Sequence, residues 1–201
     1  MSRYRQEWGP CTPRRRFNEP CRFGVIADTH IYPNNQRSIP DGVKRLFARA
    51  GLAFLVHLGD VNTRFVLEEL AEIAPVIAVP GNNDEPELHF MLPETTRFWV
   101  GDRSFGVLHG DGGRSAKTEA KRRFGEKVDC VLFGHSHQPL IEQAGDTIMF
   151  NPGSATDRRW SAHFGVGLIT VSGGAIHPEL VLFQHGDHLD NIEIEPVGQA
   201  E

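Results

Sequence analysis

The sequence predicts an α/β fold in which two packed mixed β-sheets are flanked by helices. Two observations carry this. The stretch from Phe23 to Val79 alternates short apolar runs with amphipathic stretches, and such alternation implies a parallel sheet with right-handed crossovers. The second half instead strings short apolar runs together between glycines, as hairpins require.

Taken in order, Phe23-Gly24-Val25-Ile26-Ala27 is an apolar run that stops at Asp28 and reads as a buried strand. Asp41 to Ala50 has helical spacing, with Val43, Leu46 and Phe47 on one face, Asp41 as expected N-cap and Gly51 as terminator. Ala53 to Leu58 is a second strand, stopping at Gly59-Asp60. Phe65 to Ile73 reads as a helix closed by Pro75. Val76 to Val79 is a third strand, stopping at Pro80-Gly81-Asn82. Arg97 to Val100 and Ser104 to His109 form a hairpin around Gly101-Asp102-Arg103. Ser115 to Phe124 reads as a basic helix. Cys130 to Phe133, Thr147 to Phe150, Phe164 to Val171 and Ile176 to Phe183 complete the strands.

The 201 residues suffice for one domain with a substantial core, and residues 22–201 are expected to form it. Residues 1–21 carry Arg3, Arg5, Arg14, Arg15 and Arg16 against Glu7 and Glu19, about +3 by counting, and are expected to be a basic, flexible extension. No apolar run approaches the ~20 residues that span a bilayer, and the first residues lack the apolar stretch expected of a secretory signal. An intracellular, cytoplasmic protein without membrane contact is expected. Cys11, Cys21 and Cys130 show no CxxC spacing, which disfavours disulfide frameworks and zinc–thiolate sites. The net charge of -5 argues against a surface built to grip nucleic acid.

The polar residues that carry chemistry stand just after apolar strands: Asp28-Thr29-His30, Gly59-Asp60, Gly81-Asn82-Asn83-Asp84, His109-Gly110 and Gly134-His135-Ser136-His137. Strand C-terminal ends converge at one edge of an α/β sheet, where ligands bind. Carboxylate, amide and imidazole donors suit Mn²⁺, Fe²⁺, Ni²⁺ or Zn²⁺. If the segment after the first strand stays extended, Asp28 and His30 point the same way and grip one ion. Each element alone is weak, since an Asp or His after a strand is commonly a turn residue or cap. Five of them in this order are not.

With that ordered set the chain resembles the calcineurin-like metallophosphoesterases, whose pattern runs DxH, GD, GN, HG, GHxH. It is most similar to the short bacterial and archaeal phosphodiesterase branch, which shares its fold with a retromer scaffold subunit. The resemblance spans residues 22–183 and includes Asn151-Pro152-Gly153-Ser154. It implies a metallophosphoesterase fold and two divalent ions, manganese being the expected metal. Asp28, His30, Asp60 and His137 would hold one ion, and Asp60, Asn82, His109 and His135 the other, with Asp60 bridging. It places Asp60, Asn82 and His109 closest to the reaction, in which a bridging hydroxide attacks the phosphorus. The implied substrate is a small phosphodiester or nucleotide-like ester. A phosphomonoesterase, a protein phosphatase, a dinucleoside-polyphosphate hydrolase and a non-catalytic scaffold are the competing readings. A homo-oligomer is left open.

Two positions depart from the pattern. Many relatives carry a histidine where this chain has Asn83, and an amide cannot protonate a leaving group near neutral pH. Asp111 stands where relatives often have histidine. It is expected to orient His109, to hold a metal-bound water, or to begin the Gly112-Gly113 loop. Arg158 and Arg159 follow the Asn151–Ser154 stretch, and an arginine there, Arg158 being the one singled out, is a candidate for pairing with a phosphate oxygen at the rim, its alternative being a solvated loop charge; Asp84 is expected to support the Asn83 loop or the surroundings of the metal ligands.

Overall fold

A computed structural model describes residues 15–185 and 188–194. Two mixed sheets pack face to face. In the first, β2 (Cys21–Ile26), β3 (Phe54–His57) and β4 (Val76–Ala78) are parallel and joined through α1 (Asp41–Arg49) and α2 (Arg64–Ala71). Antiparallel β10 (Phe164–Ser172) and β11 (Ala175–Phe183) extend it in the order β11-β10-β2-β3-β4. The second sheet runs β1-β5-β6-β7-β9-β8. It comprises β1 (Arg15–Phe17), β5 (Thr95–Val100), β6 (Arg103–Leu108), β7 (Cys130–Phe133), β8 (Leu140–Ala144) and β9 (Thr147–Asn151). α3 (Pro86–Met91) follows β4, and α4 (Ala116–Phe124) lies between β6 and β7 in the chain.

Side-chain alternation sorts the strands into layers. Phe23, Val25, Phe54, Val56, Phe98, Phe105, Cys130, Leu132 and Phe150 meet between the sheets. Ile26 and Leu55 face away from them, toward Leu46 and Phe47 of α1 and Val66 and Leu70 of α2. Val131 and Phe133 face Ala120 and Phe124 of α4. The order is therefore helices, sheet, sheet, helix. Aromatic contacts lock the inner layer, with Phe23 stacked on Phe54 (4.7 Å) and edge-on to Phe105 (5.3 Å). Among the described residues no helix is long and apolar enough to cross a membrane.

The boundary expected at residue 22 moves toward the N-terminus. Arg15–Phe17 pair in parallel with Phe98–Val100, the Phe17 ring stacks on Phe54 at 4.1 Å, and Cys21 opens β2. Phe17 is the physical reason, since its ring joins the inner aromatic cluster. The rest of the basic segment, residues 1–14, lies outside the described residues. Asp41 is the first residue of α1 rather than its cap; Pro40 caps it and Asp41 pairs with Lys44 at 2.9 Å. Ser115 does cap α4, accepting from the Thr118 N–H at 3.3 Å. Cys21 and Cys130 are buried and free, and burial pushes both thiols up, Cys21 to about 11.

Candidate metal centre

β2, β3 and β4 end at the same edge of one sheet, and β6, β7 and β9 run parallel in the other. The segments after them meet across the sandwich. The His135 N–H donates to Asp28 Oδ1 (3.1 Å), and Gly134 N–H donates to the His109 carbonyl (3.0 Å). Asp28, His30, Asp60, His109 and His137 are buried there, and His135 is partly buried.

The backbone that aims these side chains is not extended. Asp28 (φ 53°), His30 (φ 46°), Asp60 (φ 53°), His135 (φ 65°) and His137 (φ 56°) all adopt the left-handed conformation. Asp28 and His30 therefore converge through successive kinks, not through the two-residue alternation expected of an extended segment. Tight contacts hold the kinks. Asp28 N–H donates to the Gly59 carbonyl and His30 N–H to the Asp60 carbonyl, each at 3.0 Å. Ser154 Oγ donates to the Asp28 carbonyl at 2.7 Å. Asn151 Nδ2 donates to the Gly134 carbonyl (3.0 Å) and to Ser136 Oγ (3.1 Å), so the buried Asn151–Ser154 stretch braces the donor segments.

The donor atoms fall into two groups. Asp28, His30 and His137 form one; Asp60, His109 and His135 form the other; within each, the atoms lie within 4.8 Å of one another. His30 Nε2 and His137 Nε2 face each other at 3.1 Å, as do His135 Nδ1 and His109 Nε2 at 3.2 Å. Asp60 Oδ2 stands between the groups, 3.4 Å from His30 Nε2 and 3.5 Å from His109 Nε2. Ligands about 2.1 Å from one ion are separated by about 3.0 Å in octahedral and about 3.4 Å in tetrahedral geometry. The observed separations are of that size.

Hydrogen bonds fix the imidazoles for such a role. His109 Nδ1–H donates to the Leu58 carbonyl (2.8 Å), and His137 Nδ1–H donates to the Asp157 carbonyl. In the neutral imidazole each leaves an Nε2 lone pair for the site, the pattern that orients metal-bound histidines. Asp28 Oδ2 is buried without a hydrogen-bond partner. A buried, partnerless carboxylate oxygen is costly unless a cation meets it. These donors fit divalent cations.

The protonation pattern follows from burial and from the carboxylates. Burial pushes the Asp28 carboxyl up to about 7, against the opposing pull of His109. Burial disfavours charge on Asp60 too, but hydrogen bonds from His109 and Asn83 outweigh it and hold its carboxyl far below the usual range. Burial likewise opposes a proton on His109, yet the Asp60 hydrogen bond and the Asp28 and Asp60 charges raise it to about 9. Burial lowers His30, His135 and His137, the last to about 4.

Asn82 is exposed, and the amide that reaches Asp60 belongs to Asn83. The Asn83 backbone N–H donates to Asp60 Oδ1 (2.9 Å) and Nδ2 to Oδ2 (2.8 Å). Asp84 holds this loop by accepting from the N–H groups of Asn62 (2.6 Å) and Gly81 (2.8 Å). Asp111 is exposed, and its carbonyl accepts from Gly113 N–H (2.8 Å); it begins the loop, while Leu58 orients His109. Arg158 turns away, its Nη1 donating to the Ser161 carbonyl at 2.6 Å. His57 was given no role by the sequence. It is fully buried behind the site, 3.1 Å from Thr29 Oγ1, and no motif marks it. Beside His109 and Gly81 opens a cavity of about 400 Å³, walled on its far side by His89, Glu94, Glu119 and Arg123.

Glycines let the loops close this tightly. A Cβ on Gly81 would stand 2.3 Å from both the backbone N and Oδ1 of Asp60. Gly81→Ala is therefore expected to cost about 1–3 kcal/mol and to weaken metal binding through displacement of Asp60. Thermal unfolding and metal titration of the variant check this. A parental Tm with parental affinity would show that the loop moves freely.

The architecture and donor set define a two-sheet α/β protein with a carboxylate–imidazole centre suited to divalent metals. Residues 21–174 match the calcineurin-like phosphoesterase superfamily domain. The chain belongs to that superfamily. It is 35% identical over 137 residues to a probable metallophosphoesterase of Methanocaldococcus jannaschii, covering 67% of this chain and 68% of that one. A probable metallophosphoesterase of Methanothermobacter thermautotrophicus is 32% identical over 163 residues, 79% of this chain and 91% of the relative. Phosphodiesterase YfcE of Escherichia coli is 33% identical over 140 residues, 57% of this chain and 70% of that enzyme. Among solved structures, Vps29 of Chaetomium thermophilum superposes with a TM-score of 0.67 at 22% identity, covering 81% of this chain and 97% of that one. An archaeal phosphodiesterase gives 0.63 at 20% identity, covering 80% and 99%.

Proposed function

We propose that the protein is a dinuclear-metal-dependent phosphodiesterase. One observation carries the reading: the Asp60 carboxylate stands between two donor groups, within 3.4–3.5 Å of a histidine of each. Asp28, His30 and His137 would complete one ion's ligands and His109 and His135 the other's, with Asp60 shared and Asn82 on the adjoining loop. Bound there, two cations supply a water nucleophile at neutral pH and neutralise charge on the phosphoryl oxygens. The chain's part is to hold them. Asn83 fixes both Asp60 oxygens, and the Leu58 and Asp157 carbonyls fix the imidazoles. Relatives named phosphodiesterase favour a diester over a monoester. Manganese is the first metal to test.

The assay is Mn²⁺-dependent hydrolysis of phosphodiesters with leaving groups of graded acidity. Asn83 offers no titrating acid, so rates are expected to fall steeply from aryl to alkyl leaving groups when chemistry limits turnover. Turnover that persists without metal would overturn the reading; a flat leaving-group profile would point to a proton donor elsewhere. The likeness to Vps29 favours a second reading, a protein-binding scaffold that holds metal without turnover. The same assay separates the two.

A further inference from the structure

The cavity of about 400 Å³ beside the metal centre is lined by two residues that touch Asp60. One is His109, whose Nε2 lies 3.5 Å from Asp60 Oδ2. The other is Gly81, packed so closely that a Cβ there would stand 2.3 Å from Asp60 Oδ1. A phosphate ester seated at Asp60 therefore has this cavity next to it. Small-molecule pockets run to about 300–1,000 Å³, and this one falls within that range.

Its lining divides by chemistry. Pro80, Leu92 and Leu108 are buried and supply an apolar part; Glu94, Thr95, Glu119 and Arg123 supply a polar one. The polar part is braced. Arg123 Nε donates to Glu119 Oε1 (3.0 Å) and its Nη2 to Glu94 Oε1, while Arg122 Nε donates to Glu119 Oε2 (2.9 Å). The loop after His109 rests on the same carboxylate, since a Cβ on Gly112 would stand 2.7 Å from the Glu119 carboxyl carbon. Groups held in place beforehand bind a ligand with little ordering cost. Glu94, Asp111 and Glu119 put three carboxylates on the lining, and with Arg122 counted alongside Arg123 they still outnumber the guanidiniums. A second phosphate would meet net repulsion there. Among the described residues of the lining none is Phe, Tyr or Trp, the platforms on which bases stack. Carboxylate acceptors beside a guanidinium donor suit hydroxyls, each of which donates and accepts.

We propose that this cavity receives one alcohol group of the phosphodiester, and that the group is uncharged and rich in hydroxyls, up to the size of a six-membered ring. The proposal rests on the phosphodiesterase reading and deepens it by naming a substrate class. The hydroxyls bond to Glu94 and Arg123, and the carbon skeleton lies against Leu92 and Leu108.

The test measures, by calorimetry on the Mn²⁺-loaded protein, dissociation constants for monoesters paired to differ only in hydroxyls. The pairs are glycerol 1-phosphate with propyl phosphate, and myo-inositol 1-phosphate with cyclohexyl phosphate. The hydroxylated member of each pair is expected to bind about 10-fold tighter or more, the size of one charge-assisted hydrogen bond. Glu94→Ala, which removes an acceptor, is expected to cut that ratio to about 1- to 3-fold, and Thr95→Trp, which fills the cavity, to abolish it. The ratio is the readout because a merely structural loss weakens both members of a pair alike. Equal affinities within both pairs, a ratio that survives both substitutions, or a parent that binds none of the four esters would overturn the proposal. So would adenosine 5′-phosphate bound more tightly than myo-inositol 1-phosphate, which would assign the cavity to a nucleoside. Hydrolysis of bis(p-nitrophenyl) phosphate by the same preparation separates the two readings. Turnover without hydroxyl preference keeps the phosphodiesterase and removes the alcohol site; preference without turnover does the reverse.

Discussion

Asp60→Asn is expected to lower kcat/KM for an aryl phosphodiester by about 10³-fold or more and to reduce the number of Mn²⁺ ions bound per chain. The size follows from the position of one atom. Asp60 Oδ2 faces His30 of one donor group and His109 of the other, so removing its charge weakens both sites at once. A metal ion contributes several kcal/mol of transition-state stabilisation, and ~4 kcal/mol is already ~10³ in rate. The substitution keeps the shape, but its new NH₂ would confront the Asn83 amide, which donates to both Asp60 oxygens. Steady-state kinetics and elemental analysis on the same preparation make the check, with circular dichroism to confirm folding. A folded variant with parental activity and two bound ions would remove Asp60 from the mechanism.

Chelation is expected to lower the thermal midpoint by about 5–15 °C relative to protein saturated with Mn²⁺. Ligand at 100–1,000 times its dissociation constant stabilises by about 2.7–4.1 kcal/mol, and each kcal/mol moves a domain of this size by about 2–4 °C. The gain should grow between pH 6 and pH 9. In the metal-free protein Asp28 titrates near 7 and His109 near 9, the one raised by burial, the other by Asp60 against the effect of burial. Metal uptake must displace those protons, so affinity rises as pH climbs through both values. Scanning calorimetry with and without EDTA at the two pH values decides. A midpoint indifferent to chelator would mean that the site is not loaded.

Most of the strand framework was legible because buried strands declare themselves as apolar runs. Val131 and Phe133 face α4 while Cys130 and Leu132 face the other sheet, and both layers need apolar residues. Elements with few buried residues left no such trace. β8 shows only intermediate and exposed positions, α3 buries Leu88 alone, and β1 sits at a sheet edge. At the site, residue types and their placement after strands were readable, but the direction of each side chain was not. Direction hangs on single backbone angles. In the pairs Asn82-Asn83 and Arg158-Arg159, composition cannot tell which neighbour turns inward. The structure sets Asn83 on Asp60 and ties Arg158 to the Ser161 carbonyl. The same limit applied to Asp28 and His30, where extended alternation was expected and left-handed kinks are found.

Those kinks carry a consequence for how such a chain can change over generations. An aspartate or histidine in the left-handed region costs about 1–3 kcal/mol, where glycine costs almost nothing. Asp28, His30, Asp60, His135 and His137 each bear that cost. Selection for folding alone would favour glycine at these five places, one replacement at a time, and every such step would erase a donor. Under the proposed dinuclear reading, metal binding is what opposes that drift and holds the chain to all five side chains.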